Sequence, residues 1–310
     1  MKKVLSLLLV FVMFFSIVGC GKEENVDNSS TTTTEAISNN DVESSTSETT
    51  TKPTQKPTET TTKKSSDETT TKKTGSTPVT IKKKDFGNGQ IVFYPSNIQE
   101  TNITYPIIAF ANGTGFSYDI YEKLLIELAK GKYIVIANTE TMSADGTAQL
   151  DSVDFLIAQS KDSGSIFYNK INVNKIGLAG HSQGGRSSVN AAAADSRVDC
   201  VVSFAGSNFV EEAEKLSAPT FFIGGSADMI VNAKQWLVPA YENCEGPAVY
   251  ACKTNAIHTR CCTNPTEYSG YALAWFDAWL KNDANALNIF KDGGKLSQDS
   301  SWQDFACKGI

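Results

Sequence analysis

The chain has only two histidines, His181 and His258, in 310 residues. Any step that needs an imidazole near neutral pH must use one of them. Spaced cysteine pairs of the kind that hold zinc are missing too. Cys261 and Cys262 are adjacent, so a metal site built from His258, Cys261 and Cys262 is disfavoured, and no metal or other cofactor is expected. The apolar part of the chain has no cluster of Lys and Arg, and the net charge is -6, which makes nucleic acid a poor partner. Beyond residue 18 no apolar run approaches the roughly 20 residues of a membrane-spanning helix. Residues 21–80 have hardly an aliphatic side chain. Such a segment cannot bury enough apolar surface to offset its ordering entropy, so it reads as a disordered Thr/Ser-rich stalk.

What is present divides the chain unevenly. Met1-Lys2-Lys3 puts positive charge before an apolar run over residues 4–18, followed by Gly19-Cys20. This is a signal-peptide layout. Ile17-Val18-Gly19-Cys20 resembles the bacterial lipoprotein cleavage box, which makes Cys20 the lipidated mature N-terminus. The expected layout is a leader over 1–20, a stalk over 21–80 and one folded domain over 81–310. The domain would be a monomer, held by its lipid at the extracellular face of the bacterial cell membrane. The other six cysteines are an even number in an exported domain, which favours disulfides. Cys244 with Cys252, and one of Cys261 or Cys262 with Cys307, would close plausible loops.

From residue 81 short apolar runs alternate with amphipathic ones. Strands are predicted at 91–94, 105–111, 133–137, 175–179, 200–204, 219–223 and 248–253, several apolar on both faces as buried parallel strands are. Helices are predicted at 118–130, 148–159, 184–194, 233–241 and 268–280, the first with Ile120, Leu124, Leu125 and Leu128 on one stripe. The pattern describes an α/β fold with a mostly parallel central sheet flanked by helices.

The strand at 175–179 runs into Gly180-His181-Ser182-Gln183-Gly184-Gly185, and an Ala-rich helix follows. G-x-S-x-G between strand and helix is the nucleophile-elbow pattern. Small residues at 180 and 184 allow a strained turn that exposes Ser182, and the helix start favours developing negative charge there. A serine hydroxyl needs a base. His181 lies inside the elbow, where its side chain should pack into neighbouring structure, so His258, in the loop after strand 248–253, is the base by elimination. Its carboxylate partner should follow an earlier strand. Asp228, after strand 219–223, fits, whereas Asp195 and Asp199 precede a strand and would lie at its amino end. The order Ser, Asp, His is that of α/β-hydrolases. An oxyanion needs two backbone donors. The N–H of Gln183 is one, and Asn112-Gly113-Thr114-Gly115-Phe116 supplies the other from Thr114.

Together, Ala111-Asn112-Gly113-Thr114-Gly115, the segment 121–128, the elbow, Gly225 to Asp228 and the His258 loop resemble the cutinase and polyethylene-terephthalate-hydrolase branch of α/β-hydrolases. Bacterial chlorophyllase-type esterases share the pattern. The resemblance runs from about Gly87 to the end, where Asp304-Phe305-Ala306-Cys307 looks like that branch's disulfide-bonded tail. It implies a lidless fold, an open groove and cofactor-free hydrolysis of carboxylic esters, with small esters, acylated polysaccharide or polyester as substrates. Two departures stand out. Gly206-Ser207-Asn208-Phe209 replaces the aromatic that usually flanks the groove, leaving Phe116 and Phe209 as its aromatic candidates, and Gly225 stands where the polyethylene-terephthalate hydrolase has a cysteine. The same triad would also serve a peptidase or amidase, and a stalked domain without catalysis would serve as a surface-binding module.

Overall fold

A computed structural model describes residues 80–310 except 143, 208 and 209. The leader, Cys20, the stalk up to residue 79 and Phe209 lie outside the described residues. Among the described residues nine strands form one sheet: β1 (Ile81–Asp85), β2 (Gln90–Pro95), β3 (Tyr105–Ala111), β4 (Ile134–Asn138), β5 (Ile171–His181), β6 (Cys200–Phe204), β7 (Thr220–Gly225), β8 (Ala248–Lys253) and β9 (Trp302–Lys308). Their spatial order is β1-β2-β4-β3-β5-β6-β7-β8-β9. The run from β4 to β8 is parallel, while β1, β2 and β9 join antiparallel at the two edges. This is the α/β-hydrolase fold.

Side-chain alternation explains why the inner strands read as unbroken apolar runs. Ile108, Phe110, Val202, Phe204, Phe221 and Ile223 pack on one face, against α1 (Glu122–Lys130) and α5 (Thr266–Leu280). Ile107, Ala109, Val201 and Phe222 face the other way, toward α2 (Thr147–Lys161), α3 (Gln183–Ala194) and α4 (Ala233–Asn243). Helices cover both faces, and the parallel strands all end at one edge of the sheet, where their carboxyl-end loops gather. Among the described residues no helix is long and apolar enough to cross a membrane.

Three expectations need correction. The first predicted helix begins as a 3-10 turn over Tyr118–Tyr121. Its tighter winding shifts the phase of the stripe, leaving Ile120 exposed and Tyr121 fully buried. Strands β1 and β9 were not predicted: β1 carries the charged side chains that blunt an edge, and β9 lacks a regular apolar alternation. The expected disulfides are absent, and all six described cysteines are free. The register explains why. Cys244 precedes the amino end of β8 and Cys252 lies near its carboxyl end, so roughly 13 Å of strand separates them at 3.3 Å per residue. Cys307 pairs in register with Val249 at the amino end of β8, whereas Cys261 and Cys262 follow its carboxyl end. Both separations exceed the reach of a disulfide, whose Cα atoms lie within about 7 Å.

Candidate active site

Strand β5 ends at His181, and α3 starts at Gln183. Between them Ser182 takes φ 56°, ψ -121°, a left-handed conformation that L-residues adopt only under constraint. The constraint is visible in the glycines. A Cβ on Gly180 would fall 2.1 Å from Gly184 O, and one on Gly184 would fall 2.0 Å from Ala111 O. The start of α3 is therefore pressed against both its own strand and the end of β3. Ser182 N–H donates to Phe204 O at 2.9 Å, which ties the elbow to β6.

The turn after β3 is held from the opposite side. Asn112, fully buried, donates from Nδ2 to Asn138 O at 2.8 Å and to Glu140 O at 2.9 Å. Gly113 N–H donates to Tyr121 Oη, Gly115 N–H to Thr141 O and Phe116 N–H to Gly113 O. In the elbow, Gly185 and Arg186 N–H donate to Ser182 O. Among the described residues this leaves the N–H groups of Thr114 and Gln183 with no internal acceptor. The Phe116 ring is half-buried and lies parallel to that of His181, with centroids 6.3 Å apart and 9° between planes.

Asp228 sits in the loop after β7, and His258 in the loop after β8. The two loops are stitched together: Ser226 N–H donates to Lys253 O, Ala227 N–H to Ala256 O, and Asn255 N–H to Ser226 Oγ. His258 Nδ1 and Asp228 Oδ2 are 2.8 Å apart. The other carboxylate oxygen, Oδ1, accepts from the N–H groups of Ile230 and Val231 at 2.8 and 2.9 Å. Burial works to raise the Asp228 pKa, but the bonds from His258 and the two N–H groups outweigh it and hold the carboxyl below its usual range. Asp228 is thus an anion aimed at an imidazole. The rivals lie elsewhere: Asp199 bonds Lys175 and Ile176 N–H ahead of β6, and Asp195 bonds Arg197.

Ser182 stands next to His181, whose ring centroid lies 4.7 Å from that of His258. The Ser182 hydroxyl makes no hydrogen bond to another described side chain, so the Asp228–His258 half of the constellation is closed and the serine half is open. A serine-to-imidazole bond in free hydrolases commonly tightens only with substrate in place.

Sequence reasoning gave His181 only a packing role and overlooked Tyr121. His181 is completely buried, with Nε2 2.8 Å from His258 O and Nδ1 3.0 Å from Tyr121 Oη. Cys261 and Cys262 lie beside it, with ligand atoms of all three within 4.8 Å of one another. This is a different grouping from the expected rival around His258. Both His181 nitrogens are already engaged in hydrogen bonds, and the contact with Cys262 together with burial keeps the Cys261 thiol protonated, so the donor set does not suit a metal ion. Tyr121 could have been suspected from its buried phase had the 3-10 turn been foreseen.

Burial, together with the neighbouring His258, lowers the His181 pKa to about 3. The unfolded chain, with an imidazole pKa of roughly 6.5, takes up that proton first as pH falls. The contribution to stability is therefore complete above about pH 6.5 and is lost progressively toward pH 3. Urea unfolding should show the protein losing about 2 kcal/mol from this group between pH 7 and pH 5. His181→Gln should remove that part of the slope. Identical pH dependence in the two proteins would contradict the neutral, buried imidazole.

A parallel sheet carrying a serine elbow after β5, a carboxylate after β7 and a histidine after β8 defines a member of the α/β-hydrolase class. Within it, the chain belongs to the PET hydrolase-like family, whose model matches residues 47–306. Bis(hydroxyethyl) terephthalate hydrolase of Streptomyces coelicolor is 24% identical over 205 residues, covering 64% of this chain and 64% of that protein. The match thus spans just under two thirds of that relative's length. Cutinase est2 of Thermobifida alba is 24% identical over 227 residues, 71% of this chain and 73% of its own.

Proposed function

We propose that the protein hydrolyses carboxylic esters by two-step acyl transfer, with Ser182 as nucleophile, His258 as base and Asp228 as orienting acid. The observation that carries this reading is the 2.8 Å Asp228–His258 bond beside a serine held in a left-handed strand-to-helix turn. His258 Nε2 takes the proton of Ser182 as Oγ attacks the ester carbon. The carbonyl oxygen gains the electron pair and is met by the N–H groups of Thr114 and Gln183. Collapse expels the alcohol, which leaves with the proton from the imidazolium, and water repeats the sequence on the acyl-enzyme.

The surroundings favour an apolar ester. Met229, Ile230 and Ile257, chain neighbours of Asp228 and His258, are 97%, 61% and 57% exposed. Large apolar side chains grouped at a site mark a surface for apolar ligands. The names of the two relatives point the same way, toward terephthalate and cutin-type esters. The leader and Cys20 support export and lipid anchoring at the extracellular membrane face, with the stalk carrying a monomeric domain toward polymeric substrate.

The deciding assay compares p-nitrophenyl esters of increasing acyl length, bis(hydroxyethyl) terephthalate and acetylated xylan with matching p-nitroanilides. Ester turnover with the anilides left intact is expected. Preferential anilide cleavage would make the protein an amidase. No turnover, combined with no labelling by a fluorophosphonate, would make it a binding module.

A further inference from the structure

A single line of hydrogen bonds crosses the buried floor of the site and touches all three parts of the proposed machinery. Its direction follows from chemistry. His181 Nε2 lies 2.8 Å from His258 O, a carbonyl that can only accept, so Nε2 carries the hydrogen. With the ring neutral, Nδ1 is bare and accepts from the Tyr121 hydroxyl at 3.0 Å. Tyr121 Oη in turn accepts from Gly113 N–H at 3.0 Å. The line runs from the turn that carries Thr114, through Tyr121, through the residue before Ser182, to the main chain of the base. Every polar atom along it is satisfied, as a buried network requires.

The packing is built around this line. A Cβ on Gly113 would fall 2.9 Å from Tyr121 Oη and 3.1 Å from His181 Nδ1, so only glycine allows the approach. Tyr121 is fully buried, and burial raises its pKa, which keeps the hydroxyl protonated as a donor. The Phe116 ring stacks over His181, and Cys261 and Cys262 lie beside it.

Resting on the ester-hydrolase reading above, we infer that Tyr121 and His181 are positioning residues: a hydrogen-bonded strut that fixes the Thr114 donor turn and the His258 backbone in register about Ser182. Neither touches substrate. Their effect is on how well the oxyanion donor and the base are aligned, a requirement of tenths of an ångström at such sites. Loosening the strut should therefore lower kcat and leave KM nearly unchanged, because ground-state contacts with the ester are made elsewhere.

The test uses the full chain, Tyr121→Phe, His181→Gln and the double variant, with active sites counted by fluorophosphonate labelling. Tyr121→Phe removes one oxygen and keeps the ring in the core. It should lower kcat per labelled site roughly tenfold, with KM within about twofold, the scale of one misplaced hydrogen bond. Because both residues lie on one line, the double variant should lose no more than the worse single variant. Unchanged kcat per labelled site in Tyr121→Phe, or losses that multiply in the double variant, would overturn the strut.

A second measurement needs no kinetic variant. The chain has two histidines, so a ¹⁵N-histidine spectrum holds only two sets of ring signals. His181 must show a protonated Nε2 and a bare Nδ1, and the opposite tautomer would overturn the inference. Failure of the ester-hydrolase reading is distinguishable. In that case the unaltered protein would itself show neither turnover nor labelling, whatever the tautomer of His181.

Discussion

Ser182→Ala is expected to lower kcat/KM for p-nitrophenyl acetate by at least ~10⁴-fold, to the level that binding and oxyanion donors can supply alone. The fold should be unaffected. The serine side chain makes no hydrogen bond to another described side chain, and its unusual φ of 56° is imposed by the backbone around Gly180 and Gly184. Alanine meets the same left-handed penalty as serine, so the melting temperature should move by no more than a few degrees. Turnover that survives in a clean preparation of this variant would remove Ser182 from the chemistry and, with it, the role proposed for every residue arranged around it.

Asp228→Asn should be nearly as damaging, with kcat down by about 10⁴-fold, and the reason lies in how the carboxylate is held. Oδ1 accepts from two backbone N–H groups, those of Ile230 and Val231, which can only donate. An asparagine must therefore put its carbonyl oxygen there and turn its NH₂ toward His258. The amide can only donate at that position, so the imidazole is driven to a bare Nδ1 with its hydrogen on Nε2, the nitrogen that must accept the serine proton. The variant would fold with nearly the native contacts and the wrong tautomer. A loss smaller than about tenfold, measured at pH 7 to 8 per labelled active site, would show that the Asp228–His258 bond is not what orients the base.

The parallel core was legible from sequence for a plain physical reason. Buried strands such as residues 105–111 and 200–204 must be apolar on both faces, and the glycines of the elbow are required by backbone collisions. Asp228 and His258 were picked out as a pair because each follows a strand whose end lies at the same edge of the sheet, and their side chains lie 2.8 Å apart. The strands that escaped notice are antiparallel edges: Ile81–Asp85 is mostly charged, and Trp302–Lys308 mixes polar and apolar residues without the alternation of a half-buried strand. The cysteine pairings failed because thiol count and spacing carry no information on strand register. The contact of Cys307 with Val249 appears only after β9 has found its place. Tyr121 was hidden by a 3-10 turn, a change of winding too short to leave a periodic trace.

The segment after Asp228 divides its work between main chain and side chain. Backbone N–H groups of residues 230 and 231 hold the acid, while the side chains of Met229 and Ile230 point into solvent. Substitutions there can reshape the exposed surface without disturbing the carboxylate that faces His258. Such a loop can diversify over evolutionary time or in a mutant library, because the part that matters electrostatically is common to every amino acid except proline.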